Sequence, residues 1–366
     1  MLACLVTLEV QMKHKKRKKL KFFKFNIKGI RLFFLLMLII LFCLRKTTAQ
    51  QLPVYSQYML NGFLLNPAVA GHEGYTAINI TGREQWLGLK DAPSTYALSA
   101  QTRLLKNSFI SRSASIKRRR RIMSRSGRVG MGLYVFSDWN GAFNRTGVQY
   151  TYSYHITLRK SLLSFGASLT GYQFRIDDEK IRLYTEDQFY YNMDKSAMIP
   201  DANFGIYYTD RNIYAGLSAL QLFENTFKLT DKGGADFKMI RHYFAVFGYR
   251  FLVSDMVYLE PSFLLKTTES FVSQLDVNAK LYIKEDYWAG LAYRTGGSYS
   301  LSEESLKGGG ASFIIMGGAR LDKFYFGYAF DYNLSAISKY SIGSHELMLG
   351  ARFGDSARRY RWLNRY

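Results

Sequence analysis

Cysteine is almost absent from this chain. The only two, Cys4 and Cys43, lie in the first 43 of 366 residues. A chain trimmed after residue 49 would hold no thiol, no disulfide and no cysteine-ligated metal. Long apolar runs are equally scarce, since nothing after residue 44 is long and apolar enough to span a bilayer as a helix. Histidine is sparse as well. His14, His72, His155, His242 and His345 stand far apart, without HxxxH or Cys/His spacing, so neither a metal site nor a cofactor is expected. Ser344-His345-Glu346 has the residue types of a catalytic triad, but neighbours on a strand point to opposite faces. A fourth absence is local: no acidic residue occurs between Arg103 and Arg128.

What is present begins with a leader. Ten Lys or Arg fall in residues 13–31, followed by an almost wholly apolar run over 30–44, IRLFFLLMLIILFCL. Small residues at Thr47 and Ala49 complete the pattern of a secretory signal peptide cut after Ala49. The run is shorter than the ~20 residues a spanning helix needs. The formal charge of +22 shrinks with the leader, which carries twelve basic residues and Glu9, leaving 38 basic against 27 acidic. Ten of those 38 sit between Arg103 and Arg128, so the mature chain is nearly neutral apart from one basic segment.

From about residue 76 onward the dominant period is two. QLDVNAKLYI sets Leu275, Val277, Ala279, Leu281 and Ile283 against Asp276, Asn278, Lys280 and Tyr282. HELMLGARF and FYFGYAFDY alternate in the same way. Fourteen such segments are expected between 76 and 353, among them 76–86, 94–104, 202–209, 240–250 and 344–353. Their lengths approach the ~9–11 residues that a tilted strand needs to cross a bilayer. In hydrocarbon every backbone N–H and C=O must pair within the protein, so a spanning sheet has to close on itself. The expected fold is therefore all-β: a transmembrane antiparallel β-barrel of about 14 strands, after a cleaved signal peptide. A β-sandwich also alternates. Aromatics clustered at segment ends (Tyr150 and Tyr152, Phe324 and Tyr325, Tyr287 and Trp288) favour interfacial girdles instead.

Connection lengths agree with this reading. Turns at 159–161, 209–212, 252–255, 284–286 and 319–322 are tight, and most of those between them (175–201, 221–239, 296–309, 333–343) are long. Short turns belong to the periplasm and long loops to the exterior, which places both termini in the periplasm and the barrel in the outer membrane. The organisation expected is a signal peptide over 1–49, a periplasmic N-terminal plug or docking segment over 50–75, a barrel over 76–354 and a basic tail over 355–366. The barrel carries a basic insertion over 105–127. By parity that insertion is periplasmic, and its Arg118, Arg119, Arg120 and Arg121 suit outer-membrane lipid headgroups or an acidic partner. No nucleic-acid-binding fold surrounds it, so nucleic acid is not expected as a partner.

YSQYMLNGFLLNPAVAG at 55–71 is apolar but matches neither period, and Asn66-Pro67 opposes continued strand pairing. Tyr55, Tyr58, Phe63 and Leu64 must be buried against something, and the barrel mouth is the expected place. GREQW sets Arg83 and Trp86 at the end of the first strand, as a lumen-lining arginine and a girdle tryptophan or as contacts with cargo.

QQLPVYSQYMLNGFLLNPAVAG and GREQWLGLKDAPSTYALS resemble the start of the PorP/SprF family, outer-membrane components of the Bacteroidetes type IX secretion and gliding systems. FNRTGVQYTYSYHI, LSFGASLTGYQFRI, PDANFGIYY, QLDVNAKLYIKEDYWAGLAYRTG and SIGSHELMLGARF extend the resemblance over about 50–354. It implies a non-enzymatic component of the secretion apparatus. The implied partners are a secreted adhesin or other cargo and periplasmic peptidoglycan-associated secretion components. Tyr55, Tyr58, Phe63, Leu64, Asn66, Pro67, Arg83, Trp86 and Arg118–Arg121 are the candidate partner-binding residues. A passive porin or solute channel is the alternative, and an outer-membrane hydrolase the third reading.

Overall fold

The computed structural model describes residues 55–104, 127–158, 161–181, 195–210, 212–223, 226–228, 236–254, 256–269, 273–284, 286–295 and 311–353. Residues 1–49, Arg118–Arg121 and the tail 355–366 lie outside the described residues, as does all but Gly127 of the 105–127 insertion.

Period-two sequence becomes strand almost throughout. The first seven strands are β1 (Thr76–Glu84), β2 (Ser94–Leu104), β3 (Val129–Asn140), β4 (Phe143–Thr157), β5 (Leu162–Ile176), β6 (Ser196–Thr209) and β7 (Ile213–Leu220). A short separate hairpin follows, β8 (Thr226–Lys228) with β9 (Asp236–Lys238). The sheet resumes with β10 (His242–Tyr249), β11 (Phe251–Ser254), β12 (Val257–Thr268) and β13 (Ser273–Ile283). It ends with β14 (Tyr287–Arg294), β15 (Ser312–Leu321), β16 (Phe324–Asn333) and β17 (Ser344–Phe353).

β10 and β11 are one barrel strand interrupted at Arg250, since both pair with β12 in the same register. Each remaining strand pairs antiparallel with its neighbours, and β1–β17 and β10–β12 complete the ring. The result is a closed 14-strand antiparallel barrel. Closure leaves no sheet edge, which is what a sheet in hydrocarbon requires.

The two faces divide by polarity. Ile78, Ile80, Leu98, Leu133, Val148, Leu169, Leu217, Leu291, Ile315 and Leu349 are exposed on the outside. Asn79, Thr81, Ser99, Thr151, Ser153, Asn278 and Asp331 are buried within. Exposed aromatics gather toward the strand ends: Phe251, Tyr287, Phe324 and Phe353 at one rim, Tyr96, Trp139, Phe143 and Tyr332 at the other. Of the expected girdle pairs, Tyr150 and Tyr152 are both exposed on the outer face, and Phe324 and Tyr287 join the proximal belt. Tyr325 and Trp288 point inward and are buried. The alternation itself requires this, because successive residues face opposite ways.

The rim where β1 begins and β17 ends is here the proximal rim. Its connections at 158–161, 210–212, 255–256, 284–286 and 322–323 are short. Most distal connections are long. β6 begins at Ser196, six residues earlier than the sequence suggests, because Pro200 interrupts nothing. Pro200 pairs with Gly171 of β5, and the β6–β7 ladder runs only from Phe204 to Thr209. Pro261 sits likewise in the gap of the β10/β11–β12 ladder, where its missing N–H costs no rung. Across that gap Arg250 Nε donates to Glu260 Oε2 at 2.7 Å and Tyr214 Oη to Glu260 Oε1 at 3.0 Å.

Candidate functional site

The lumen is filled by the chain's own N-terminal segment. Residues 55–75 form no strand. Two 3-10 turns, Gly62–Leu64 and Pro67–Val69, bend them into a compact path inside the barrel. Tyr55, Ser56, Gln57, Tyr58, Asn61, Phe63, Leu65, Asn66, Ala68, Ala70 and His72 are all buried. Tyr55 starts the described path beside Tyr134 of β3, with their hydroxyls 2.9 Å apart. The chain then crosses the lumen to enter β1 at the proximal rim. Burying each of Tyr58 and Phe63 is worth about 1.5–3 kcal/mol, which favours the inserted state.

Polar groups of the inner wall hold this plug, most densely in three groupings. The densest surrounds Ser56 at the distal ends of the strands. Glu346 of β17 accepts the backbone N–H of Ser56 at 2.7 Å and of Gln57 at 2.9 Å. Arg83 of β1 donates to Glu346 at 3.1 Å, to Asp331 of β16 at 2.6 Å and to Ser56 Oγ at 2.8 Å. Arg294 of β14 joins Asp331 at 2.9 Å and Asp276 of β13 at 3.0 Å, and Lys266 of β12 completes the ring 3.5 Å from Asp276. Three cations and three carboxylates from six strands thus balance, and Ser56 Oγ donates to Asp331 at their centre. Isolated charges would be costly here; paired and hydrogen-bonded, they form a clasp specific for one backbone position.

The second grouping holds Ala70. Its carbonyl accepts from Ser153 Oγ at 2.6 Å and lies 3.0 Å from His155 Nε2, while His155 Nδ1 is 2.7 Å from Ser164 Oγ. The third is Asn66, which caps Ala68 N–H at 2.9 Å and donates to the carbonyls of Ile206 and Leu217 at 3.0 and 3.1 Å. Ser218 Oγ adds a bond to the Leu65 carbonyl at 2.6 Å.

Glycines on the inner wall let the plug come this close. A Cβ at Gly166 would collide with Pro67 and Ala68, and one at Gly130 with the Ala70 carbonyl. Gly132 leaves the space that the Phe63 ring occupies. At each of these positions the absent side chain is replaced by plug atoms.

The sequence-predicted residues fall into distinct places. Tyr55, Tyr58, Phe63, Asn66 and Pro67 are buried within the lumen, and Leu64 is half-buried there. Arg83 is in the clasp. Trp86 lies past the end of β1 with left-handed φ of 50°, its N–H donating to Ser344 Oγ at 3.2 Å. There the distal β1–β2 connection is stitched to the one before β17 through Leu87 and Gly343. Sequence reasoning does not single out Glu346, Asp331, Arg294 and Asp276 as site residues. The available signal was their common placement on inward faces near the distal strand ends.

The Ser344-His345-Glu346 run does not assemble as a triad. Ser344 and Glu346 face the lumen, while His345 turns to the outer face, 2.6 Å from Tyr328 Oη. Ser153, His155 and Ser164 are wholly buried and used on the plug. Among the described residues no group of His, Cys, Asp and Glu is arranged to hold a metal ion.

A closed antiparallel barrel with an apolar outer belt and a polar interior is an outer-membrane protein in architecture. Residues 47–351 match the family described as type IX secretion system membrane protein PorP/SprF, and the chain belongs to that family. No curated protein matches it in sequence. Solved structures with similar folds include the outer-membrane protein Omp33 of Acinetobacter baumannii, 8% identical with TM-score 0.39, covering 77% of this chain and 99% of that one. CymD, a monoaromatic hydrocarbon channel, is 10% identical with TM-score 0.42, covering 83% of this chain and 93% of its own. Neither likeness bears on what this chain does.

Proposed function

We propose that this chain is a non-enzymatic part of the type IX secretion apparatus that helps export or surface-attach a cargo adhesin. Family membership over residues 47–351 carries the reading. The proximal rim, with its short turns, faces the periplasm, and the long distal connections face the exterior. Exterior connections hold or guide the cargo, while the basic 105–127 segment couples the barrel to peptidoglycan-associated machinery on the periplasmic side. Gliding motility is the setting this predicts in a Bacteroidetes host.

The filled lumen supports binding over passive transport. A porin needs a continuous aqueous path, whereas residues 55–75 occupy the interior and are tied to the wall at Ser56, Asn66 and Ala70. The deciding experiment deletes the gene and follows adhesin at the cell surface, with affinity purification of tagged protein from native membranes. Loss of surface adhesin together with co-purified secretion components is the expected result. Normal adhesin export in the deletion strain, with a stable large conductance in planar bilayers, would establish the porin instead.

A further inference from the structure

We infer that the distal side of the lumen contains a binding site for an organic ammonium group, with Asp201 as its counter-ion. This stands independently of the secretion reading.

Asp201 comes from the PDANFGIYY stretch, where Pro200 and Ala202 face outward and Asp201, Asn203 and Gly205 face inward. Its Oδ1 accepts two backbone bonds, from Ala202 N–H at 2.7 Å and Phe223 N–H at 3.3 Å. Its Oδ2 is buried and meets no donor among the described residues, in a residue only 2% exposed. Among the described residues the other inward carboxylates near the distal strand ends have cations. Asp138 holds Arg145, Asp276 holds Arg294 and Lys266, Asp331 holds Arg83 and Arg294, and Glu346 holds Arg83. Arg145 borders the same space as Asp201 but is committed to Asp138 through Nε at 3.2 Å and Nη2 at 2.6 Å. A buried carboxylate oxygen without a partner is costly to keep, and a positive ligand removes that cost.

Asp201 also lines an interior space of matching chemistry. A cavity of about 90 Å³ lies between the plug and strands β3–β7 and β10. Leu64, Leu220 and Phe244 give it apolar walls for methylene groups. The rings of Tyr134 and Tyr172 also line it and can face a cation. With roughly 10–15 Å³ per water in such a measure, it has room for a short alkyl ammonium. A divalent metal would want six or more oxygens. An ammonium is more compact than a guanidinium: Asp201 Oδ2 takes one of its three N–H donors, and the side-chain oxygens of Thr170 and Gln149, which line the same cavity, can take the others. It could come from a free amine or from a lysine side chain of a polypeptide entering the lumen.

The test uses full-length protein purified in detergent and titrated calorimetrically with n-butylammonium, n-butanol and the peptide acetyl-Gly-Lys-Gly-amide. Saturable n-butylammonium binding is expected, with n-butanol weaker by about tenfold or more. Asp201→Asn should reduce n-butylammonium binding by a similar factor while keeping the heat-modifiable gel mobility of a folded barrel. Peptide binding as tight as n-butylammonium assigns the site to lysine side chains, and binding of the amine alone assigns it to a small molecule. Equal response to n-butylammonium and n-butanol, no saturation by either, or a folded Asp201→Asn protein that binds unchanged overturns the proposal. If Asp201→Asn does not fold, the amine-against-alcohol comparison on the unaltered protein decides.

Discussion

Replacing Glu346 with Gln should loosen the plug. The carboxylate is fully buried and receives three donors: Ser56 N–H, Gln57 N–H and Arg83 Nη1. Gln has nearly the same shape but carries no charge, and one of its two terminal atoms is itself a donor. It therefore satisfies at most part of this set and turns an NH2 toward N–H groups. The six-charge ring also becomes unbalanced, with three cations against two carboxylates. Breaking a buried pair by removing one partner costs about 3–5 kcal/mol. The Arg83–Glu346 pair joins two wall strands and is lost whether the plug is in or out, so what falls on insertion is the charged hydrogen bond from Ser56 or Gln57 N–H, about 1.5–3 kcal/mol. Each 1.4 kcal/mol is tenfold, so that loss raises the displaced population roughly ten- to a hundredfold. A Leu64→Cys reporter reads this directly if residues 1–49, with both native cysteines, are left out. Maleimide modification in liposomes should accelerate by about that factor in Glu346→Gln, and planar-bilayer current should rise. Unchanged modification rate and current, in a barrel that folds normally, would refute the clasp as the element that holds the plug.

Gly166→Val places a branched side chain where Pro67 and Ala68 pass, and overpacking of about 1–3 kcal/mol should give the same reporter signal without altering any charge. Leu349→Arg, on the exposed face in the middle of β17, should cost about 2–4 kcal/mol and lower the folded fraction on heat-modifiability gels. Pro200→Ala should leave that fraction unchanged, because Pro200 lies outside the β6–β7 ladder. Arg118–Arg121 changed together to Glu should reduce recovery of periplasmic partners and its salt sensitivity while leaving barrel assembly intact; unchanged recovery would remove the basic segment from the coupling role.

Sequence alone determined the architecture. The period of two, the lack of any later spanning helix and the alternation of short and long connections left a closed even-stranded barrel as the consistent solution. They also assigned the faces correctly at β13, β16 and β17, because alternation is local and forced by strand geometry. It identified 55–71 as a segment needing burial, on the ground that it suited neither period. Tertiary structure decided what buries it. Ser56 meets Glu346 across 290 positions of sequence and Asp331 across 275, distances over which no local pattern speaks. The inner-wall glycines read in sequence as weak strand residues; only the folded barrel turns Gly130, Gly132 and Gly166 into a seat for Ala70, Phe63 and Pro67. Asp201 read as one polar residue in an alternating strand, and its want of a cation became visible only once the other inward carboxylates had found theirs. Pairing of charges across a lumen depends on which strands face each other after closure, and that is a property of the ring rather than of any strand within it.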